Sequence, residues 1–287
     1  MITIILALVV AFMWGAGEIF DKKATNHYNA INVLVHSYIF EIISFLLFTL
    51  VTDINAFARF NLEIFKYIAP LFVFSICLGN VFYLCAIKYG NLSIVSPILA
   101  SDPIYVILIG IFLFHEDVSI DKLIPLIIIV ASICALNFIG SKTKEKVKKT
   151  AIIFASAYAF VTAIVTTLEK STYLSGFKIA DFYFHYSLLL ILLVIILLIY
   201  MKIKHIKFEK PNKDIFISNS LNRVGYFVHS YLLSTSYVSI ITPITGLYSV
   251  VTHILAIKIL KEKLSLKQSI CVFLIIISTI ILLLVHE

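Results

Sequence analysis

Ser93-Ile94-Val95-Ser96-Pro97 and Ser239-Ile240-Ile241-Thr242-Pro243 are one phrase written twice, 146 positions apart. The same shift, without a gap, lays Gly79 on Gly225, Glu116 on Glu262, Ser119 on Ser265 and Ser132 on Ser278. Around these anchors run apolar segments of the length that crosses a bilayer, about 20 residues each. They fall near 2–20, 30–52, 66–88, 92–114, 120–140, 150–170, 180–201, 214–236, 239–260 and 264–286. Each copy holds an odd number of spans, so the second must enter the membrane upside down relative to the first. The sequence therefore predicts an all-α integral membrane protein: ten transmembrane helices arranged as two inverted five-helix repeats, residues 1–145 and 146–287. Inverted repeats of this kind serve alternating access in secondary transporters.

Composition excludes most other classes. With 61% hydrophobic and 14% charged residues and a mean hydropathy of +1.04, the chain has too much apolar surface to bury in a water-soluble core. Lipid is its solvent, and almost nothing remains for a soluble domain. The first span has no basic residue ahead of it and continues past Trp14 toward Asp21-Lys22-Lys23, which reads as a helix and not as a cleaved signal. Cys77, Cys85, Cys134 and Cys271 all lie in apolar segments, without metal-ligand spacing, and read as packing residues. The net charge of +7 comes from Lys clusters at Lys142–Lys149, Lys202–Lys213 and Lys258–Lys267 between spans, suited to an anionic membrane surface and not to nucleic acid. No cofactor is called for. The sequence is compatible with a homodimer and does not specify one.

Those clusters, with Lys22, Lys23 and Lys88, fall on one side of the membrane, while Arg59, Lys66, Lys122, Lys170 and Lys178 fall on the other. The bias places both termini outside the cell membrane.

Within the fourth span, Pro97 and Asp102-Pro103 are followed, thirteen residues on, by Glu116 and then Val118-Ser119 at the entry to the next span. With Trp14-Gly15 in the first span and the duplicated Glu116 and Glu262, this resembles the ten-helix EamA-type branch of the drug/metabolite transporter superfamily over the whole chain. The resemblance implies a multi-pass transporter of small molecules, with export and proton coupling allowed and with cytoplasmic termini, opposite to the Lys bias. The second copy departs by carrying Tyr248-Ser249 where the first has Asp102-Pro103, and Phe160 in place of Trp14.

Pro97, Pro103, Pro243, Glu116 and Glu262 are expected to organise helix junctions, with Ser265 and Gln268 as a capping box. Glu116 and Glu262 can also be read as substrate ligands. Pro103 leaves the carbonyl of Leu99 without its usual donor, tolerable at mid-membrane only against protein or a water-filled cavity, so the Leu99–Asp102 stretch is expected to line one. Charged side chains inside spans are costly, by about 2.5–3.5 kcal/mol on the insertion scale, and Asp102 and Arg223 are the deepest. The eighth span carries Asn219, Asn222, Arg223, Tyr226 and Ser230 at three- and four-residue spacing, one polar stripe. The third answers with Asn80 and Tyr83, Tyr83 aligning with His229. Arg223 has two readings: a structural ion pair with Asp102, or a planar fork for a carboxylate or phosphate of the substrate. Glu18, one turn beyond Trp14, is a proton-coupling candidate or a solvated carboxylate near a helix end. Trp14, Tyr83, Tyr158 and Tyr248 are candidate aromatic walls. His36, Glu41, His185 and His253 also fall within spans, and an intramembrane His is more often a hydrogen-bonded packing residue than a proton relay.

The function so predicted is a secondary transporter of small organic solutes with an anionic group, such as amino acids. The alternatives are a drug exporter or lipid-linked-sugar flippase and, from another class, a multi-pass membrane enzyme. An enzyme would need acidic, His or Cys residues clustered at one membrane face, and the chain has no Gly-rich phosphate loop, HExxH or Ser/His/Asp set.

Overall fold

The computed structural model describes residues 2–90, 92–138 and 149–260, together with 266, 267, 270, 271, 273, 274, 277, 278 and 281. Among these residues the fold is helical throughout, with no strand. The elements are α1 (Ile2–His27), α2 (Ala30–Thr52), α3 (Leu62–Tyr89), α4 (Leu92–Leu99), α5 (Pro103–Leu113) and α6 (Ile120–Phe138) in the first half. The second half holds α7 (Lys149–Leu174), α8 (Ile179–Ile203), α9 (Lys213–Thr235), α10 (Val238–Thr245) and α11 (Tyr248–Leu260). Six helical stretches among the described residues are long and apolar enough to cross a membrane: α1, α2, α3, α7, α8 and Val238–Ala256. The helix α9, at 23 residues, has the length but carries the polar stripe around Arg223. Glu262, Ser265, Gln268, Lys142–Lys148 and most of the tenth expected span lie outside the described residues.

Two boundaries differ from expectation for physical reasons. The first span was expected to end near residue 20, yet α1 continues to His27 because its last turns are packed against α9 and α3, which shelter Asp21 and Lys22. The fourth and ninth spans, expected as single helices, are each broken. In the first, the α4 helix closes with the Ala100 and Ser101 amides on the Ser96 and Ile98 carbonyls, and Pro103 restarts it as α5. In the second, the Gly246 and Leu247 amides close α10 on Thr242 and Ile244 before α11 begins at Tyr248. Ala100 and Gly246 are 146 positions apart, so the breaks are repeat equivalents. They also meet: a Cβ on Gly246 would lie 3.1 Å from Cγ of Pro103, so the second break passes directly over the first.

The junctions are held by buried charges. Glu116, just after α5, accepts from the Val238 amide at 2.8 Å, the Ser239 amide at 3.0 Å and the Ser239 hydroxyl, which caps the N-terminus of α10. Lys170 of α7 donates to the Leu233 and Ser236 carbonyls at 2.8 Å each, closing the C-terminal end of α9. In the first half, Lys22 of α1 donates to the Ile87 and Gly90 carbonyls at the end of α3. Ile87 and Leu233, and Gly90 and Ser236, are again 146 apart.

In α3 the turn over Val73–Gly79 widens to a π-helix, and the Asn80 amide reaches back to the Ser75 carbonyl. The widening begins shortly after Pro70, which cannot donate into the helix ladder. It presents Ser75, Ile76, Gly79 and Asn80 to the molecule's interior. At one end of the bundle, Asp53, Arg59, Asp181 and Lys178 form a charge network that ties the α2–α3 connection to the start of α8. The Asn61 amide is also held there by His185, a packing role.

Candidate functional site

A cavity of about 240 Å³ lies where α1, α3, α7 and α9 surround the crossing of the two breaks. The residues singled out from sequence as substrate-binding, Trp14, Asn80, Tyr83, Asp102, Asn222, Arg223, Tyr226 and Tyr248, are all brought to its wall, and so is Glu18. Both halves of the chain contribute. Pro243, on α10, stands apart from this lining set, and the side chain of Pro97 lies outside the described residues. Glu116 is also outside it, spent on the α10 amides, and Pro103 serves the crossing.

Close backbone approach shapes the apolar side of the cavity. At Gly15 a Cβ would fall 2.5 Å from the Tyr248 carbonyl oxygen, so glycine alone lets α1 lie against α11 there. At Gly225 a Cβ would fall 2.7 Å from Nε1 of Trp14, so the indole rests on the bare backbone of α9. Trp14 then meets Tyr248 edge-on at 6.3 Å and His229 at 5.0 Å, while Tyr83 and Tyr158 face each other at 5.5 Å. These contacts build an aromatic wall from α1, α3, α7 and α11.

The ion-pair reading of Arg223 has the wrong partner. Its Nη1 lies 2.8 Å from Oε1 of Glu41 on α2, and its guanidinium stacks near the faces of Phe45 and Tyr226, at 5.8 and 5.5 Å. Asp102 forms no ion pair among the described residues. In the sequence Glu41 stands only as a residue within a span, because nothing local connects it to position 223; the pairing is purely tertiary. The Nε of Arg223 is buried and has no protein partner among the described residues.

Glu18, 2% exposed and so not solvated at a helix end, sits between the two broken helices. Its Oε2 accepts from the Ser96 hydroxyl of α4 and from the Thr252 hydroxyl of α11 at 2.7 Å, while its Oε1 is buried without a partner among the described residues. Two further carboxylates were missed. Asp21 accepts from Tyr83 at 2.9 Å, Asn222 at 3.1 Å and Ser218. Glu169 accepts from Tyr173 at 2.8 Å, Tyr226 at 3.0 Å and Ser230 at 2.6 Å. Each stands beside a lysine near the end of its helix, a pattern shared with ordinary interface charge. The lysines, however, turn away to cap α3 and α9, and the acids point inward. Among the described residues the lining thus holds Glu18, Asp21, Glu41, Asp102 and Glu169 against Arg223 as its one Lys or Arg side chain.

The sequence matches the EamA-like transporter family over residues 1–138 and 149–284. An uncharacterized transporter of Clostridium kluyveri is 26% identical over 152 residues, which are 53% of this chain and 48% of that protein. An uncharacterized transporter of Archaeoglobus fulgidus is 23% identical over 166 residues, 58% of each chain. The chain spans about half the length of the curated relatives it matches. A crystal structure of another protein superposes with a TM-score of 0.71 over 99% of this chain and 98% of the other, at 12% identity, a likeness of fold.

Proposed function

We propose that this chain, which belongs to the EamA-like transporter family, is a ten-helix secondary transporter of the cell membrane, exporting small organic solutes by alternating access. Residues 1–145 and 146–287 act as inverted repeats that rock about the cavity. The observation that carries this reading is the crossing of two repeat-equivalent helix breaks, with Gly246 against Pro103, at a cavity lined by both halves. Discontinuous helices leave polar backbone groups that inside a membrane are tolerable only against protein or a water-filled cavity, and here the cavity lies beside the crossing, with Asp102, Thr245 and Gly246 in its lining.

The solutes that fit are amino-acid-like. A cavity of about 240 Å³ is below the range of drug-sized sites, which run from about 300 to 1,000 Å³, so a small metabolite is favoured over a bulky drug or lipid-linked sugar. Arg223 offers its free Nε to a carboxylate, although Glu41 already neutralises its charge, so a simple anion is disfavoured relative to a zwitterion. Glu18, bridging Ser96 and Thr252, is the coupling residue: exchanging a proton for solute there changes the hydrogen bonds that tie α4 of one repeat to α11 of the other.

Purified protein in proteoliposomes, offered a panel of amino acids and related amines with and without a proton gradient, tests this. Gradient-dependent flux that disappears in Glu18→Gln is expected. Flux of no member of the panel, in protein that retains its helical content and its melting transition, would reject the transport reading.

A further inference from the structure

The cavity wall contains more negative charge than the proposed reading uses. Glu41 is matched by Arg223 and Glu169 by three hydroxyl donors. Asp21 is likewise held by the Tyr83 and Ser218 hydroxyls and the Asn222 amide. Glu18 and Asp102 share a wall with Trp14, Tyr83, Tyr158 and Tyr248 and have no ion pair among the described residues. Asp102 is 7% exposed. The nearest lysine in sequence, Lys22, is taken up by the Ile87 and Gly90 carbonyls. Buried carboxylates without a counter-cation are costly states, more so inside a membrane. The Oε1 of Glu18, buried and without a partner, marks where a donor is wanted.

Resting on the reading of this cavity as a transport site, we infer that its α1 side is a recognition site for an organic ammonium group. The carboxylates of Glu18 and Asp102 supply charge, and the faces of Trp14, Tyr83, Tyr158 and Tyr248 supply the surround. Aromatic faces attract cations through their ring quadrupole, most strongly when desolvated. A bare metal ion would instead demand a shell of six or more oxygens, and four aromatic rings take up much of this wall. The ammonium is therefore the obligatory part of the solute, and a carboxylate directed at Arg223 is optional. A second amine-free anion has no counterpart on this wall.

The chain contains a single tryptophan, Trp14, so fluorescence excited at the red edge, where tyrosine does not absorb, reads this site alone. Full-length protein in detergent is titrated at constant ionic strength with phenethylammonium, with phenylpropionate, and with sodium chloride. A saturable change in Trp14 emission with phenethylammonium only, its affinity reduced at least tenfold in Glu18→Gln and in Asp102→Asn, is the expected result. Should either variant fold poorly, the wild type alone still decides: phenethylammonium should raise its melting temperature, and phenylpropionate should not. The inference is overturned if phenylpropionate matches phenethylammonium, if sodium reproduces the change, or if both variants bind phenethylammonium within twofold of wild type. Specific binding of phenethylammonium without flux in liposomes would reject the transporter reading and leave the ammonium site standing. Flux of amine-free anions without any phenethylammonium response would do the reverse.

Discussion

Glu116 separates a structural carboxylate from a substrate ligand, and Glu116→Gln is the perturbation that decides. The carboxylate receives two backbone amides and one hydroxyl at the start of α10, a helix whose eight residues are all buried. Glutamine keeps one oxygen for the Val238 amide but turns an NH2 toward the Ser239 amide. The Ser239 hydroxyl can rotate to accept from that NH2, so one buried N–H is left without an acceptor, at about 1–3 kcal/mol. The lost negative charge at a helix N-terminus adds up to about 2 kcal/mol in a partly buried setting. A total of about 3 kcal/mol lowers Tm by roughly 6–12 °C at about 2–4 °C per kcal/mol for a chain of this size. Melting of the detergent-purified protein, followed by the helical circular dichroism signal, measures it, with Ser239→Ala as a milder control expected to lose about 1 kcal/mol. Transport per folded molecule should persist, because Glu116 is not in the cavity lining. An unchanged Tm with transport abolished would refute the reasoning and return Glu116 to the substrate.

Arg223→Gln should strand the buried Glu41 carboxylate and destabilise the protein by about 3–5 kcal/mol; adding Glu41→Gln should recover most of that, and recovery by Asp102→Asn in its place would contradict the observed pairing. Arg223→Lys should keep the fold while weakening flux of carboxylate-bearing solutes, since the planar fork is lost; equal flux would remove Arg223 from recognition. Gly225→Ala places a methyl where Trp14 now rests, so Trp14 emission should shift and ammonium affinity fall, and an unaltered spectrum would show that the indole packs elsewhere. Hydrogen bonds from Arg59 and Lys178 hold the Asp53 carboxyl at about 2, below its ordinary 3.8. Its folded-state value is depressed, so its contribution is complete above about pH 4 and fades as pH falls toward 2. The Tm difference between wild type and Asp53→Asn should shrink over that window; a difference constant from pH 5 to pH 2 would exclude the network as its source.

Much of this arrangement could be read from the chain. Pro103 removes a donor in the middle of a span and marks the Leu99–Asp102 stretch, where the break stands, although the span was expected unbroken; the second break, 146 positions on at Gly246, has no proline at its restart to announce it. The stripe from Asn219 to Ser230 announced itself by helical spacing, and Asn222, Arg223 and Tyr226 line the cavity. The Arg223–Glu41 pair was not legible, because 182 residues separate its members and each looks unaccompanied on its own helix. Asp21 and Glu169 were not legible for a different reason: an acid followed by a lysine near a helix end has the same local pattern as a solvated interface. Here helix packing carries α1 to His27, past Asp21, and α7 to Leu174, past Glu169, and leaves both acids in the cavity lining.

The slip between the repeats explains why the lysines escaped as well. The carbonyls they cap obey the shift of 146, Ile87 with Leu233 and Gly90 with Ser236, but Lys22 and Lys170 are separated by 148, as are Asp21 and Glu169. The α3 and α9 helices thus keep register between the two halves while α1 and α7 run two residues out of it, an axial displacement of about 3 Å at 1.5 Å per residue. A gap-free comparison pairs Lys22 with Leu168 and sees nothing. Contact, not alignment, reveals a duplicated device: an acid–lysine pair whose lysine fixes a helix end and whose acid faces the cavity. One such device stands in each half of the chain, its lysine on the end of α3 or α9 and its acid in the cavity lining.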